Sequence, residues 1–438
     1  MSAAVMTAIA SRLRARTLSP PLAYALCAAI IGVALFASAT PSPLYATYSA
    51  LWDFSPVVLT LVYAIYAIGV LAALLLAGRA SDEAGRRPVL LMALGGLIAA
   101  AVLFMLAASV AWLFVARLVQ GLATGLALGT ASAGLLDFHP RQDPEGAGVT
   151  NGAVSAAGLG FGALVSSALV QLLPAPRLTP YAVLLVLLVV ALVGVLLMPE
   201  PIASRSRLRL TPQRPRVPAS VRGSFFVATL AVTCAYSIGG LFFALGPQLA
   251  GQVFATGDHV VTGLGLFLLT GVAALAQLAY GRRAAWLAVA GGSGALAAGV
   301  ALIALSASED SAAPLLIGSI IGGAGFGLAF LGALRSLSAA IPPDQRAAVM
   351  SAFFVVGYTA LSVPAVLAGL ATTPLGLEST FEIFGTAVAA LALAVTLQAW
   401  RTRPRPAAGP GPVRGTGAMS SPRPMASIRQ CQRCTGSA

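Results

Sequence analysis

The sequence predicts an all-α integral membrane protein of about twelve transmembrane helices in two six-helix halves. Of its 438 residues, 58% are hydrophobic and only 9% are charged, whereas a soluble domain carries about 25% charged residues. The mean hydropathy is +0.91. About twelve apolar runs are long enough to cross a bilayer core, which takes about 20 residues of helix. The short alternating segments of a β-barrel are absent.

The apolar runs follow one another with short connections. The first run comes after Arg12, Arg14 and Arg16 and contains Ala37-Ser38-Ala39, as a signal peptide would. It is long for a signal sequence and eleven further runs follow, so we interpret it as the first transmembrane helix. The predicted spans are 22–44, 57–77, 88–108, 112–134, 149–172, 180–198, 223–250, 260–281, 284–306, 312–336, 346–370 and 378–399.

The placement of arginine predicts the orientation. All 26 basic residues are arginine, and the formal net charge is +13. The arginines lie in tails and connections and not on one amphipathic face, which argues against a nucleic-acid partner. They concentrate on alternate connections, so the positive-inside rule places both termini in the cytoplasm of a multi-pass plasma-membrane protein. Anionic lipid is the expected partner of that face.

Composition also predicts the domain organisation. The segment 199–222 is rich in Pro, Ser and Arg and reads as a linker between two bundles. The predicted order is a cytoplasmic tail at 1–20, a bundle at 21–198, the linker at 199–222, a bundle at 223–399 and a disordered basic tail at 400–438. An internal repeat supports this division. Gly121, Gly125, Leu126, Ala127 and Pro140 recur 202 positions later as Gly323, Gly327, Leu328, Ala329 and Pro342, and Gly69 recurs as Gly271.

Two motifs carry a family resemblance. The first, between the second and third spans, contains Gly78, Asp82, Gly85, Arg86 and Arg87 with the spacing G-x-x-x-D-x-x-G-R-R. The second, in the fourth span, reads R-x-x-Q-G and contains Arg117, Gln120 and Gly121. Both resemble signatures of the major facilitator superfamily, the second that of its proton-coupled members. The resemblance covers residues 20–400 and implies the 6+6 bundle of that superfamily.

The resemblance implies that the charged loop latches the two halves on the cytoplasmic side. Gly78 and Gly85 permit a tight reversal of the backbone. Asp82 can accept charge-assisted hydrogen bonds across a seam between the halves. Its candidate partners are Arg141 and Arg346, which are predicted at the same surface. The alternative is that the loop arginines only obey the positive-inside rule, although this would leave Asp82 unexplained.

Arg117 is a charge well inside a predicted span, so it is expected to face a cavity or a partner. The resemblance implies a role for Arg117, Gln120 and Gly121 in proton coupling. The alternative is an arginine that extends to the membrane surface. No carboxylate lies in the middle of a span, since Asp53, Asp137, Glu378 and Glu382 fall at or near span ends. The fifth span lacks the Gly-Pro of many exporters, and its Gly158, Gly160 and Gly162 favour close helix packing.

Polar and aromatic residues within the spans predict a mostly apolar pocket. With no buried acid and few buried arginines, a neutral or weakly charged lipophilic solute is the expected substrate. The candidate substrate-binding residues are Tyr45, Tyr63, Tyr66, Asn151, Tyr236, Phe243, Gln248 and Tyr358.

We therefore expect a secondary transporter that works by alternating access and exports drug-like or metabolite compounds in exchange for protons. An uptake permease for a small neutral nutrient is the first alternative, and a membrane receptor or scaffold is the second. An enzyme is not expected, and an ATP-driven pump is excluded because its phosphate-binding loop requires lysine. No cofactor and no metal are expected, and Cys431 and Cys434 lack two further ligands for zinc. Such a bundle encloses its site within one chain, so we expect a monomer.

Overall fold

The computed structural model describes residues 17–202, 214–309, 311–342 and 345–401. In these ranges the chain is almost entirely helical and contains no strand. Most of the predicted tail at 1–20, the middle of the predicted linker, and nearly all of the tail at 400–438 lie outside the described residues. The pair Cys431 and Cys434 lies outside them as well.

The first half of the described chain contains six membrane-spanning helices and two short ones. A single 3-10 turn, Ser42–Leu44, joins the first long helix to the first short one. The helices are α1 Pro20–Ala39, α2 Tyr45–Trp52, α3 Pro56–Ala77, α4 Ala80–Ala84, α5 Arg86–Met105, α6 Val110–Asp137, α7 Pro144–Leu172 and α8 Thr179–Leu197.

The second half contains five long helices, of which the last is double. They are α9 Arg222–Val253, α10 His259–Tyr280, α11 Ala285–Ser308, α12 Ala312–Ala340 and α13 Arg346–Arg401. Helix α13 has 56 residues, too many for one crossing of a bilayer, and Gly376 interrupts it with φ 80° and ψ 168°. Its two arms, 346–375 and 377–401, count as separate spans. With the ten long apolar helices before it, they confirm the expectation of about twelve.

The 202-residue repeat has a structural counterpart. In the first half, Gly121 of α6 packs directly on the backbone of α3, because a Cβ there would lie 3.1 Å from the Cα of Gly69. In the second half, Gly323 of α12 packs in the same way on the backbone carbonyls of α10, at Leu268 and Leu269. The glycines therefore recur because each half needs close contact between its second and fourth spans.

Two helix pairs make the most extensive contacts between the halves. Helix α7 packs on α10 along its whole length, through small residues at Gly152, Gly160 and Gly263. Gly158 and Gly162, on another face of α7, pack on the backbone of α1, as the sequence predicted for close helix packing. Helix α3 packs on the first arm of α13.

The two ends of the bundle are named here for clarity. The motif face is the end that carries the charged loop 78–85. It also contains the α6–α7 connection, Glu200, and the α10–α11 connection at Gly281–Arg283, which hydrogen bonds tie together. The opposite face carries α2, the end of α7 and the start of α10.

Candidate functional site

A cavity of about 360 Å³ lies between the two halves. Residues of α1, α3, α6 and α7 line it from the first half, and residues of α9, α10, α12 and α13 line it from the second. Its lining extends from the middle of the bundle towards the motif face, as far as Ser132, Gly148 and Leu334. The surface of the cavity is mostly apolar, which is typical of a site for a small molecule.

Aromatic rings from both halves form one wall of this cavity. Tyr63 of α3 and Phe243 of α9 stack across the boundary, with ring centroids 6.4 Å apart and planes within 6°. Tyr236 stacks on Phe330 at 5.4 Å and meets Tyr358 edge-on at 6.0 Å. The Tyr63–Phe243 pair joins the two halves, and the other two pairs lie within the second half. Each such pair contributes about 0.5–1.5 kcal/mol beyond burial.

The other wall carries the polar groups of the cavity. The Asn151 amide nitrogen donates to the hydroxyl of Ser132 at 2.9 Å. The buried Gln277 amide packs against Gly152, and its Oε1 atom has no hydrogen-bond partner among the described residues. A buried polar atom without a partner is costly, so Gln277 is a candidate to meet a polar group of a bound solute.

The structure brings together most of the predicted substrate-binding residues. Those that line the central cavity are Tyr63, Tyr66, Asn151, Tyr236, Phe243 and Tyr358. Tyr45 and Gln248 instead line a smaller cavity of about 220 Å³ towards the opposite face, together with His259. Sequence reasoning missed Gln277 and Ser132. The amide of Gln277 inside an otherwise apolar span was an available signal.

Arg117 lies beside both cavities and is fully buried. Its Nε donates to the hydroxyl of Tyr45 at 2.7 Å, and its Nη1 donates to the Ser38 carbonyl at 2.9 Å and to Oε1 of Gln120 at 2.7 Å. Gln120 in turn donates to the Ala37 carbonyl at 2.8 Å. The predicted alternative, an arginine that extends to the membrane surface, does not fit this burial.

Gly121 completes the second motif by bringing α6 against α3. Four aromatic rings surround the Arg117 guanidinium with centroids within 6 Å: Tyr45, Tyr63, Tyr66 and Phe104. Cation–π contact of this kind stabilises a buried cation without neutralising it.

The charged loop is organised around Arg86. Its side chain is 8% exposed, and it forms ion pairs with Asp82 at 2.5 Å and with Asp137 at 2.8 Å. Its Nη1 also donates to Ser81 at 2.7 Å. Gly85 has φ 100° and needs glycine, whereas Gly78 has an ordinary helical φ of −58°. The positive φ that glycine permits is therefore used at Gly85 and not at Gly78.

Glu200, just beyond α8, binds the start of α5. Its two carboxylate oxygens accept from the backbone N–H groups of Arg86 and Arg87 at 2.9 and 3.0 Å. Free N–H groups at a helix N-terminus favour an anion, which explains why this end needs no local cap. Sequence reasoning did not identify Glu200, and it named Asp137 only as one of four acids near span ends through which proton coupling was possible.

Two other ion pairs join the halves at the motif face. Asp143 before α7 pairs with Arg282 at 3.2 Å, and Glu145 pairs with Arg335. Arg335 also donates to the carbonyls of Gly281 and Arg283. The predicted partners of Asp82 were wrong in this conformation, because Asp82 pairs within its own half with Arg86. The side chains of Arg141 and Arg346 are exposed.

Asp143 has the clearest electrostatic environment at this face. Its carboxylate accepts from the backbone N–H groups of Gly146 and Glu145 and faces Arg282, and these contacts hold its pKa below the ordinary value. The backbone hydrogen bond from Gly146 is the largest cause. Among the residues with described placement, no group of three or more His, Cys, Asp or Glu could hold a metal ion.

A membrane-spanning bundle whose halves enclose a cavity, with contacts between them at both faces, is typical of membrane transporters. The Major Facilitator Superfamily model matches residues 22–363, and the chain belongs to this superfamily. It is therefore a multi-pass secondary transporter of a small molecule and not an enzyme.

Solved structures show the same fold. The chain is similar to the human organic anion transporter MFSD10 (TETRAN), with 18% identity and a TM-score of 0.62 over 87% of this chain and 100% of that one. It is also similar to a POT family transporter in complex with a thioalcohol-conjugated peptide, with 12% identity and a TM-score of 0.68 over 87% of this chain and 96% of that one. Among curated protein sequences, none matches this chain.

Proposed function

We propose that this transporter exports lipophilic drug-like or metabolite compounds from the cell in exchange for protons, working as a monomer by alternating access. The central cavity is the observation that carries the proposal. It is mostly apolar and lined by aromatic rings, and its few polar groups, Asn151, Ser132 and Gln277, are uncharged. Such a lining suits a lipophilic solute and suits a phosphate or a dicarboxylate poorly.

The charged residues support a cytoplasmic motif face. The ends of the described chain, near Thr17 and Arg401, belong to this face, as does the start of α9 at Arg222. Arginine dominates the connections of the motif face. By the positive-inside rule, this face and both termini would lie on the cytoplasmic side of the plasma membrane. The same arginines would contact anionic lipid. The cavity then extends towards the cytoplasm, which suits capture of a solute from inside the cell.

Alternating access requires contacts that break at one face and form at the other. The pairs Asp143–Arg282 and Glu145–Arg335 span the halves at the motif face, so they are suited to break when the cavity opens there. We assign the loop residues Asp82, Arg86 and Arg87 to the switch through Asp137, because Arg86 ties the loop to the end of α6. At the opposite face, Gly369 and Thr60 keep α13 and α3 in contact.

Proton coupling is assigned to the polar cluster of Arg117, Gln120 and Gly121 together with acids at the ends of the spans. Every acid in the described ranges lies at or near a span end, so protonation would act on contacts at the faces.

The test of proton coupling uses the full chain in proteoliposomes loaded with 2-naphthamide under an imposed pH gradient. We expect faster efflux than from loaded liposomes that lack the protein. This efflux should be driven by the pH gradient and lost when an ionophore collapses the gradient. Efflux that ignores the gradient would exclude proton coupling.

Two variants on α9 test the cavity itself. Phe243 lines it, while Phe226 on the same helix is 57% exposed. Loss of one aromatic contact corresponds to about 0.5–1.5 kcal/mol, so Phe243→Ala should raise the KM for 2-naphthamide about two- to tenfold. Phe226→Ala should leave KM unchanged. Equal effects of the two substitutions would argue against this cavity as the transport site.

Direction separates the exporter from the alternative, an uptake permease. In cells that overproduce the protein, export predicts lower accumulation of the probe and uptake predicts higher accumulation. Labelling of Gln142→Cys, in a background with Cys431→Ser and Cys434→Ser, tests the orientation, because a membrane-impermeant maleimide should reach it only in inverted membranes. Labelling in intact cells would place the motif face outside.

A further inference from the structure

The guanidinium of Arg117 is a buried positive charge that no carboxylate in the described part of the chain neutralises. Its hydrogen bonds reach three neutral oxygens, those of Tyr45, Ser38 and Gln120. The ion pairs of the described residues lie elsewhere, at the motif face. Arginine does not lose its proton in proteins, so the charge persists within the membrane-spanning bundle.

This charge lies next to both cavities. The guanidinium carbon is 5.9 Å from the ring centroid of Tyr63 and 5.4 Å from that of Tyr66, and both rings line the central cavity. It is 5.4 Å from the ring centroid of Tyr45, which lines the smaller cavity. The guanidinium is therefore separated from either cavity by no more than the thickness of one aromatic ring. Its Nη2 atom is buried and has no hydrogen-bond partner among the described residues.

The field of this charge is large enough to matter for selection. At an effective dielectric constant of ~20 and a separation of ~10 Å, a unit charge favours an anion over a neutral molecule of the same shape by on the order of tenfold. Salt screens a charge buried inside the bundle less than a charge at the surface. The same field disfavours a cation by a similar factor.

We propose that the central cavity takes lipophilic monoanions, such as aromatic carboxylates, in preference to their neutral amides and to matched ammonium compounds. The inference rests on the proposed transport function and names the charge class of its substrate. A single uncompensated cation balances a single negative charge, and the aromatic lining accommodates the apolar body. The polar groups of Asn151 and Gln277 supply neutral contacts that do not discriminate by charge.

The experiment measures binding and flux separately with three probes of one shape: 2-naphthoate, 2-naphthamide and 2-naphthylmethylammonium. Equilibrium binding is measured on the purified full chain at neutral pH, and flux is measured in proteoliposomes with pH and membrane potential clamped. The variants are Arg117→Gln, which removes the charge, and Arg117→Lys, which keeps it. Arg177→Gln is the matched control, since it removes an arginine from the α7–α8 connection, outside both cavity linings.

We expect the wild type to bind 2-naphthoate about tenfold more tightly than 2-naphthamide, and the ammonium compound most weakly. Arg117→Gln should bring the naphthoate-to-naphthamide ratio close to one, while Arg117→Lys and Arg177→Gln should keep it. An equal affinity of the wild type for all three probes, or a preference for the cation, would overturn the proposal even if no variant folds. Binding in the expected order without flux would refute the transport function and leave the charge selection standing.

Discussion

Arg86 shows how one side chain can join separate segments of a chain. It contacts Asp82 in the loop and Asp137 at the end of α6, and its backbone N–H binds Glu200 beyond α8. The carboxylate of Asp82 is 59% exposed and that of Asp137 only 27%. Water weakens the exposed pair more, so Asp137 contributes more to the position of the loop.

Substitution of Asp137 should therefore cost more than substitution of Asp82. Asp137→Asn weakens a partly buried charge-assisted contact, which corresponds to about 1–2 kcal/mol, whereas Asp82→Asn should cost less than about 1 kcal/mol. Thermal unfolding of the purified variants in detergent checks the order through their apparent Tm. Equal apparent Tm values for the two variants would show that exposure does not rank these pairs.

The lowered pKa of Asp143 leads to a prediction about pH. A carboxylate whose pKa is depressed by folding stabilises the protein above its unfolded pKa, about 3.9 for Asp. It loses that contribution as pH falls through the lower folded value. The difference in apparent Tm between wild type and Asp143→Asn should therefore be constant from about pH 5 to 8 and shrink below about pH 4. A difference that changes between pH 5 and 8 would assign another partner to this carboxylate.

At the scale of elements, α13 shows how one residue can replace a loop. Its two arms meet at Gly376, where φ is 80° and a Cβ would meet no atom within 4 Å. Space is therefore not the constraint there. The constraint is the backbone, because an L-residue is disfavoured at positive φ.

Gly376→Ala should destabilise the protein by about 1 kcal/mol through backbone strain alone. The matched control is Gly95→Ala in α5, where a Cβ also meets nothing within 4 Å but the backbone is helical. That substitution should be neutral or slightly stabilising. Apparent Tm values measured side by side test the contrast, and equal shifts for both variants would exclude a backbone origin.

At the scale of the whole molecule, the halves must move relative to each other while each keeps its own packing. Thr60 and Gly369 oppose each other across the halves, with the Thr60 Cβ 3.1 Å from a Cβ built on Gly369. Gly96 and Ala123 oppose each other within the first half at 2.8 Å. Both pairs are near enough for a disulfide after a small shift of the helices.

A disulfide between Thr60→Cys and Gly369→Cys should abolish flux, and a reductant should restore it. The matched disulfide between Gly96→Cys and Ala123→Cys should leave flux nearly unchanged, because it links helices of one half. Both are made in a background with Cys431→Ser and Cys434→Ser, and proteoliposome flux with and without reductant is the measurement. Full flux with the oxidised cross-half pair would contradict separation of α3 from α13 during transport.

The sequence predicted the spans and the family well because both depend on local pattern. Apolar length and arginine placement are readable residue by residue, and Arg117 stood out as a charge within a span. The ion-pair partners of the charged residues could not be predicted from the sequence, because they depend on which helix ends lie next to each other in the fold. Asp82 was paired with Arg141 and Arg346 because all three were predicted at the same surface. Asp82 instead binds Arg86, which lies four residues further along the chain, beyond the break at Gly85. Gln248 resembled a cavity residue by composition, but its position on α9 places it one turn beyond Phe243, in the smaller cavity.

The stack of Tyr63 on Phe243 has a kinetic consequence. It lies between the central cavity and the smaller one, whose lining includes Leu59 and Pro247, one turn further along the same two helices. Opening of the opposite face must part these rings, at a cost of about 0.5–1.5 kcal/mol. A flat aromatic solute restores the lost contact by offering its own ring to either one. The loaded carrier would then reorient faster than the empty carrier, so solute on the far side would accelerate efflux, a behaviour known as trans-stimulation.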